Sequence, residues 1–173
     1  MSVSLAKLLC AAISSAEAAG CAIRTVAHKH DLQTRYKSAD DPVTAADLQS
    51  QDIIFATFRT NWPDLAIVGE EKLDRVTAAP TNIDNSYVSE NDIQEKFHTL
   101  SVRDLVIWID PLDGTREFVD GLYEAVTVLV GISLRGHVIA GVIHQPFVGK
   151  SGRSVWGIAD QGIKLPSIRI KCL

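Results

Sequence analysis

The chain contains few cysteines and has no excess of positive charge, and each of these facts argues against a class of protein. The three cysteines, Cys10, Cys21 and Cys172, have neither metal-ligand nor redox spacing, and their odd number argues against a disulfide framework. A reducing, cytoplasmic setting is the simplest expectation. With 17 Lys and Arg against 21 Asp and Glu, the net charge is −4, which argues against a protein that binds nucleic-acid backbones.

The chain also lacks repeats, low-complexity tracts and an uninterrupted apolar segment long enough to cross a membrane. The apolar residues between Leu5 and Ile13 are broken by Lys7, and their pattern continues as an amphipathic helix. We therefore expect neither a signal peptide nor a membrane partner. A hydrophobic content of 46% in 173 residues is enough to bury one sizeable core.

Hydrophobic periodicity predicts an α+β fold in which two N-terminal helices pack on a largely antiparallel sheet. Polar residues predict a mobile loop over 28–41 and an excursion from the sheet over 72–104, with a short helix near 91–98. The predicted elements are helices over about residues 4–28 and 44–60 and strands over about 65–68, 105–109, 125–134, 137–145 and 154–159.

Two carboxylates at the end of the predicted strand 105–109 are the most informative chemical feature. Asp110 and Asp113 are separated by Pro-Leu. Because Pro111 cannot donate to a sheet ladder, we predict that the strand stops there and that the chain turns. Thr115 is then predicted to be the N-cap of a short helix. Residues of these types also form ordinary polar turns, so the motif alone does not establish a metal site.

Two further acidic segments point to the same chemistry. Glu70 and Glu71 follow a short apolar strand, and Asp47 lies in the first turns of the second predicted helix. Carboxylates that lie close together need a compensating cation to stay ionised. All-oxygen ligands favour Mg²⁺, Mn²⁺ or Ca²⁺ over zinc. The sequence therefore predicts a divalent-metal site where strands end.

The segments D-P-V-T-A-A-D at 41–47, G-E-E at 69–71 and D-P-L-D-G-T at 110–115 occur in this order. Together they resemble the lithium-sensitive, Mg²⁺-dependent phosphatases of the inositol monophosphatase superfamily. The sequence D-G-T-R-E-F at 113–118 is similar to the 3′(2′),5′-bisphosphate nucleotidase branch, whereas inositol monophosphatases usually have D-G-T-x-N-F. The resemblance implies the N-terminal half of the layered α/β sandwich of the sugar phosphatases. It also implies metal-assisted hydrolysis of adenosine 3′,5′-bisphosphate to AMP and phosphate, with inhibition by lithium.

Carried over residue by residue, the resemblance implies a set of site residues. The implied metal ligands are Glu70, Asp110, the carbonyl of Leu112 and Asp113; the catalytic pair is Asp47 and Thr115; the phosphate-binding amides are those of Gly114 and Thr115. Two or more Mg²⁺ ions are implied, with Mn²⁺ as a substitute. In the implied mechanism Asp47 accepts a hydrogen bond from the Thr115 hydroxyl, which takes a proton from the attacking water. Glu71 is left open between a supporting role behind the ligands and an ordinary surface acid.

The family pattern is incomplete toward the end of the chain. The W-D motif of the family's second domain does not occur after Thr115, and residues 161–173 resemble nothing in the family. We therefore expect a metal-binding phosphatase domain over 1–160, an atypical tail over 161–173 and no C-terminal domain. Three hypotheses stay open: a nucleotidase acting on a small phosphorylated nucleotide, an inositol phosphate phosphatase of the same superfamily, and a catalytically impaired metal-binding fragment. The fragment hypothesis predicts self-association through the surface left by the absent domain.

Overall fold

The computed structural model of the chain describes residues 1–29 and 31–164, so the predicted tail lies outside the described residues from 165 onward. Its helices are α1 (Leu5–Lys29), α2 (Ala45–Asn61) and α3 (Thr115–Val119). Its strands are β1 (Ser2–Val3), β2 (Arg35–Ser38), β3 (Asp41–Val43), β4 (Ala66–Gly69), β5 (Leu100–Ser101), β6 (Leu105–Asp113), β7 (Thr127–Leu134), β8 (His137–Gln145), β9 (Arg153–Ile158) and β10 (Gly162–Lys164). The predicted loop over 28–41 thus contains a hairpin, β2–β3. The predicted short helix near 91–98 is replaced by two 3₁₀ turns, Glu90–Asp92 and Glu95–Phe97.

Six of these strands form one mixed sheet in the order β10-β9-β8-β7-β6-β4. Neighbouring strands are antiparallel except β4 and β6, which are parallel. The β7–β8 hairpin turns at Arg135 and Gly136, whose φ angles of 52° and 82° give the left-handed turn that matches strand twist. The predicted α+β fold with a largely antiparallel sheet is confirmed, and β10 continues the sheet beyond residue 160.

Helices α1 and α2 cover one face of this sheet. α1 lies against β7, β8 and β9, and α2 lies against β4 and β6. Leu8, Leu9 and Ile13 of α1 are fully buried, and the small Ala16 and Ala19 beside them allow close packing. By length and composition α1 could span a membrane, the one described helix of which this is true, but 72% of its most apolar window is buried inside the protein. A helix that is buried to this extent is a core helix of the folded protein.

Two local predictions around the acidic turn are wrong. β6 continues through Pro111 to Asp113, because the pairing with β7 is irregular between Asp110 and Asp113. At such a bulge a residue needs no ladder partner, so proline is tolerated. The N-cap of α3 is Gly114, at a φ of 87°, and not Thr115, which is the first helical residue. The Thr115 hydroxyl is therefore available for contacts other than capping.

The opposite face of the sheet carries apolar side chains that remain exposed. Trp108 is 49% exposed and Ile143 is 46% exposed. Between them, Gly131, Gly141 and Gly157 pair with one another across β7, β8 and β9. Because glycines have no side chains, this part of the face is a shallow groove with apolar walls.

Candidate metal and phosphate site

The parallel pairing of β4 and β6 brings two acidic segments to the same edge of the sheet. Gly69 pairs with Ile109, and the Glu70 amide donates to the Ile109 carbonyl at 3.0 Å. Glu70 and Asp110 therefore leave their strands side by side. Burial, the charge of Glu70, a hydrogen bond with Glu70 and the charge of Asp113 raise the pKa of Asp110 to about 7. Carboxyl groups this close together need positive charge beside them before both ionise.

Gln51 of α2 fixes the backbone of the second glutamate, Glu71. Gln51 Nε2 donates to the Glu71 carbonyl at 2.6 Å, and Gln51 Oε1 accepts from the Glu71 amide at 2.9 Å. Gln51 is fully buried, and a Cβ on Gly69 would clash with its side-chain amide. Glycine at position 69 is needed for this close approach. Sequence reasoning missed Gln51, although its spacing of four residues from Asp47 places both on one face of α2.

Thr115 and Asp47 are in contact, as the family resemblance implies. Thr115 Oγ1 lies 3.0 Å from Asp47 Oδ1 and 3.0 Å from the Leu112 carbonyl oxygen, so two acceptors compete for one hydroxyl proton. Asp47 Oδ2 accepts from the amide and the hydroxyl of Thr44 at 2.7 and 2.6 Å. The bond from the Thr44 amide, together with the bond that Thr44 Oγ1 accepts from the Ala46 amide at 3.1 Å, forms the capping box of α2, a role that the sequence did not predict for Asp47. Asp47 is 1% exposed, and its burial raises its pKa although the hydrogen bonds oppose the change.

Asp113 has a different environment from Asp110. Asp113 is exposed, and it accepts a hydrogen bond from Thr127 Oγ1 at 3.1 Å. Asp110 Oδ1 accepts from the Leu112 amide at 3.3 Å. Within the described ranges, no three His, Cys, Asp or Glu side chains are grouped closely enough to hold a metal ion. The structure thus places Glu70 beside Asp110, whereas Asp113 would have to turn toward them to share a metal.

The predicted phosphate-binding amides stand at the start of α3. Gly114 and Thr115 are its N-cap and its first residue, a position where amides have no intrahelical carbonyl partner. A Cβ on Gly114 would be strained at this φ and would lie 3.4 Å from the Ala125 carbonyl oxygen. These amides can donate to an anion.

The β2–β3 hairpin is tied to the site by two basic side chains. Lys37 Nζ lies 2.6 Å from Glu71 Oε1 and 3.4 Å from Glu70 Oε1. On the other side, Arg116 Nη2 of α3 lies 2.7 Å from Asp40 Oδ1. The Glu71 side chain is only 6% exposed, which disfavours the interpretation of Glu71 as an ordinary surface acid.

The donor types that these residues offer suit a hard divalent cation, once Asp113 turns toward Glu70 and Asp110. Their donors are the carboxylates of Glu70, Asp110 and Asp113 and the carbonyl of Leu112, an all-oxygen set that suits Mg²⁺ or Mn²⁺. The raised pKa of Asp110 and the ammonium group of Lys37 beside Glu70 both indicate surplus negative charge. A metal ion at this edge of the sheet would neutralise that charge.

Comparison with known proteins identifies relatives over nearly the whole chain. The profile of the Inositol monophosphatase family matches residues 4–172. The 3′(2′),5′-bisphosphate nucleotidase 1 of Dictyostelium discoideum is 38% identical over 96% of this chain and 58% of its own length. The human protein of the same name is 36% identical over 91% of this chain and 55% of its own length. Inositol monophosphatase 3 of Xenopus tropicalis is 30% identical over 92% of this chain and 46% of its own length. The chain therefore spans about half the length of these relatives.

Solved structures show the same fold at lower sequence identity. The extragenic suppressor protein suhB from Bartonella henselae superposes with a TM-score of 0.69 at 21% identity, over 91% of this chain and 51% of its own. The Thermotoga maritima IMPase gives a TM-score of 0.60 at 21% identity, over 91% of this chain and 50% of its own. The profile match over nearly the whole sequence and the shared fold lead to one conclusion: this chain belongs to the inositol monophosphatase family.

Proposed function

We propose that this chain provides the metal-binding half of a Mg²⁺-dependent phosphatase that hydrolyses adenosine 3′,5′-bisphosphate to AMP and phosphate. The observation that carries the proposal is the contact of Thr115 with Asp47 at the edge of the sheet where Glu70 and Asp110 adjoin. Two or more Mg²⁺ ions, with Mn²⁺ as a substitute, are the proposed cofactors. The nucleotidase relatives support the substrate class. The cytoplasmic location expected from the cysteines stays a prediction.

The chain's own residues have defined tasks in this proposal. When bound, Mg²⁺ would polarise a phosphoryl oxygen and acidify the attacking water. The Thr115 hydroxyl can accept a hydrogen bond from that water on a lone pair while it donates to Asp47, so a proton that it takes from the water is matched by its own proton passing to Asp47. The Asp47 side chain is fixed in this orientation, because its other oxygen, Oδ2, accepts two hydrogen bonds from Thr44. The amides of Gly114 and Thr115 would orient the phosphate oxygens.

Phosphate release from adenosine 3′,5′-bisphosphate by the purified chain tests the proposal. Asp110→Ala removes a proposed ligand, and Asp64→Ala is the matched control, because Asp64 is exposed in the turn between α2 and β4. We expect Mg²⁺-dependent release that Li⁺ inhibits, that Asp110→Ala abolishes and that Asp64→Ala retains. A staphylococcal inositol monophosphatase of the same fold has been solved as a LiCl-soaked inhibitory complex, which supports the test with Li⁺. Release that survives Asp110→Ala would contradict the metal assignment.

The two alternative hypotheses have their own tests. The 30% identity with an inositol monophosphatase 3 makes inositol phosphates the second substrate class, and a faster release from inositol 1-phosphate than from the nucleotide would favour it. A folded chain that binds Mg²⁺ without turnover on either substrate would favour the impaired-fragment hypothesis.

The fragment hypothesis also proposes self-association through the exposed sheet face, with a second copy of the chain as its occupant. Ile143 and Trp108 are large apolar side chains near the middle of this face, a pattern typical of contact surfaces. In light scattering after size-exclusion chromatography we expect a dimer that Ile143→Glu converts to a monomer. A wild-type chain that elutes as a monomer at all concentrations would refute self-association.

A further inference from the structure

The β2–β3 hairpin places a lysine among the acidic groups of the site. Besides its contacts with Glu71 and Glu70, Lys37 Nζ lies 3.5 Å from Asp41 Oδ1 on the hairpin itself. Burial acts to lower the pKa of Lys37, but the hydrogen bond to Glu71 and the charges of Glu71, Glu70 and Asp41 outweigh it and raise the pKa. The ammonium group is therefore charged at neutral pH.

The two glutamates that hold Lys37 differ in how firmly they are fixed. Glu71 has a buried side chain, and Gln51 binds both its amide and its carbonyl. The Glu70 side chain is 43% exposed and adjoins Asp110. The shorter contact of Lys37, at 2.6 Å, is with the fixed Glu71, and the longer one, at 3.4 Å, is with Glu70. Lys37 can therefore release Glu70 while it keeps Glu71.

We propose that Lys37 is a resident counter-cation of the carboxylate cluster, which a divalent metal must displace from Glu70 while Glu71 retains it. This inference rests on the proposed function, in which Glu70 and Asp110 bind Mg²⁺. It assigns Lys37 a positioning role: the lysine neutralises the site of the metal-free protein and raises the Mg²⁺ concentration that the protein needs. It also explains why Glu71 is buried and clamped although it is not one of the implied ligands.

Isothermal titration of the full chain with Mg²⁺ at low salt tests this role without any activity measurement. We expect Lys37→Met to bind Mg²⁺ roughly three- to tenfold more tightly than the wild type. The reason is that Mg²⁺ then neither displaces a partly exposed ion pair nor meets the repulsion of the Lys37 ammonium group. Lys37→Arg keeps the charge and should bind as the wild type does. Lys72→Met is the matched control, because Lys72 is exposed and follows Glu71 in the chain; it should change the affinity less than twofold.

A second measurement on the same variants distinguishes a change in metal affinity from a failure to fold. In thermal unfolding, metal-free Lys37→Met should melt below the wild type, and saturating Mg²⁺ should raise its melting temperature by more than it raises that of the wild type. Equal Mg²⁺ affinities for Lys37→Met and wild type would overturn the inference, as would an equal gain in Lys72→Met.

Asp110→Ala separates the two proposals. If the wild type binds Mg²⁺ and Asp110→Ala does not, the metal site stands and the lysine comparison decides alone. If no variant binds Mg²⁺, the metal site itself is wrong, and the counter-cation role falls with it.

Discussion

The metal-free protein should become less stable as the pH rises from about 4 to about 7, because Asp110 is forced to ionise in a half-buried position beside Glu70. In the folded chain the pKa of Asp110 is about 7, against an ordinary value of 3.8. Between these two values the folded state holds a proton that the unfolded state has released. Since the unfolded state binds fewer protons, stability falls with rising pH. The contribution is complete below the ordinary pKa and is lost as the pH passes the folded-state value.

The magnitude follows from the same shift. A raise of about three pKa units corresponds to ~4 kcal/mol, and solvent screening of a half-buried carboxylate reduces this to about 2 kcal/mol. For a chain of this size that is roughly 4–8 °C in melting temperature. Asp110→Asn is the perturbation, because an amide keeps the shape, still accepts from the Leu112 amide, and cannot ionise. In EDTA it should flatten the pH dependence and be more stable than the wild type at pH 8 by about 2 kcal/mol.

Urea unfolding at pH 5 and pH 8, in EDTA and in Mg²⁺, measures the effect. In Mg²⁺ the order should reverse at pH 8, because the wild type gains the free energy of metal binding and Asp110→Asn does not. Asp64→Asn, on the exposed turn after α2, is the control for loss of one surface carboxylate. Parallel pH profiles for the wild type and Asp110→Asn in EDTA would refute the reasoning.

Three further changes test other contacts of the site. Gly69→Ala introduces a Cβ against the Gln51 amide; it should cost about 1–3 kcal/mol in urea unfolding and weaken Mg²⁺ binding, and wild-type values for both would show that the close approach is dispensable. Thr115→Val removes the hydroxyl that contacts Asp47; it should lower phosphate release about 100-fold or more, whereas Thr115→Ser should retain most of it, and equal rates for the two variants would contradict the hydroxyl's role. Gly114→Ala forces an alanine to a φ of 87°; we expect a loss of about 1 kcal/mol or more in urea unfolding, and an unchanged midpoint would mean that the turn relaxes.

The elements that could be predicted from sequence are those whose signal is local. The spacing of apolar residues in α1 and the runs of β-branched residues in β7 and β8 are properties of one element each, so their bounds were predicted within two residues. The course of the chain at Pro111 could not be predicted in this way. Whether a proline ends a strand or sits in a bulge depends on the register of the neighbouring strand, which no local pattern contains.

The same distinction between local and long-range signals applies to the candidate site. The carboxylates were found because strands that end in acids are visible in the sequence, and the Asp47–Thr115 contact followed from the family resemblance. Of the residues that hold those acids, Gln51 was not predicted, and Lys37 was predicted only as part of a basic loop that is either solvated or approaches the metals. Gln51 meets Glu71 across 20 residues, and Lys37 meets Glu71 across 34. Each of these looks like an ordinary polar surface residue until the packing of α2 and of the hairpin is known.

The single parallel strand pair explains why the acids meet at all. β6 pairs with β7 in antiparallel fashion and with β4 in parallel, so the sheet has only one described place where two strands end side by side in the same direction. Had β4 been antiparallel to β6, Glu70 and Asp110 would lie at opposite edges of the sheet, one strand length apart. The parallel pair requires a long connection, and residues 70–104, which include the excursion over 72–104, provide it. The excursion therefore has a structural role that its polar composition does not indicate. It returns the chain to the edge of the sheet where β4 begins, so that β4 and β6 run in the same direction and their carboxylates lie close together at the other edge.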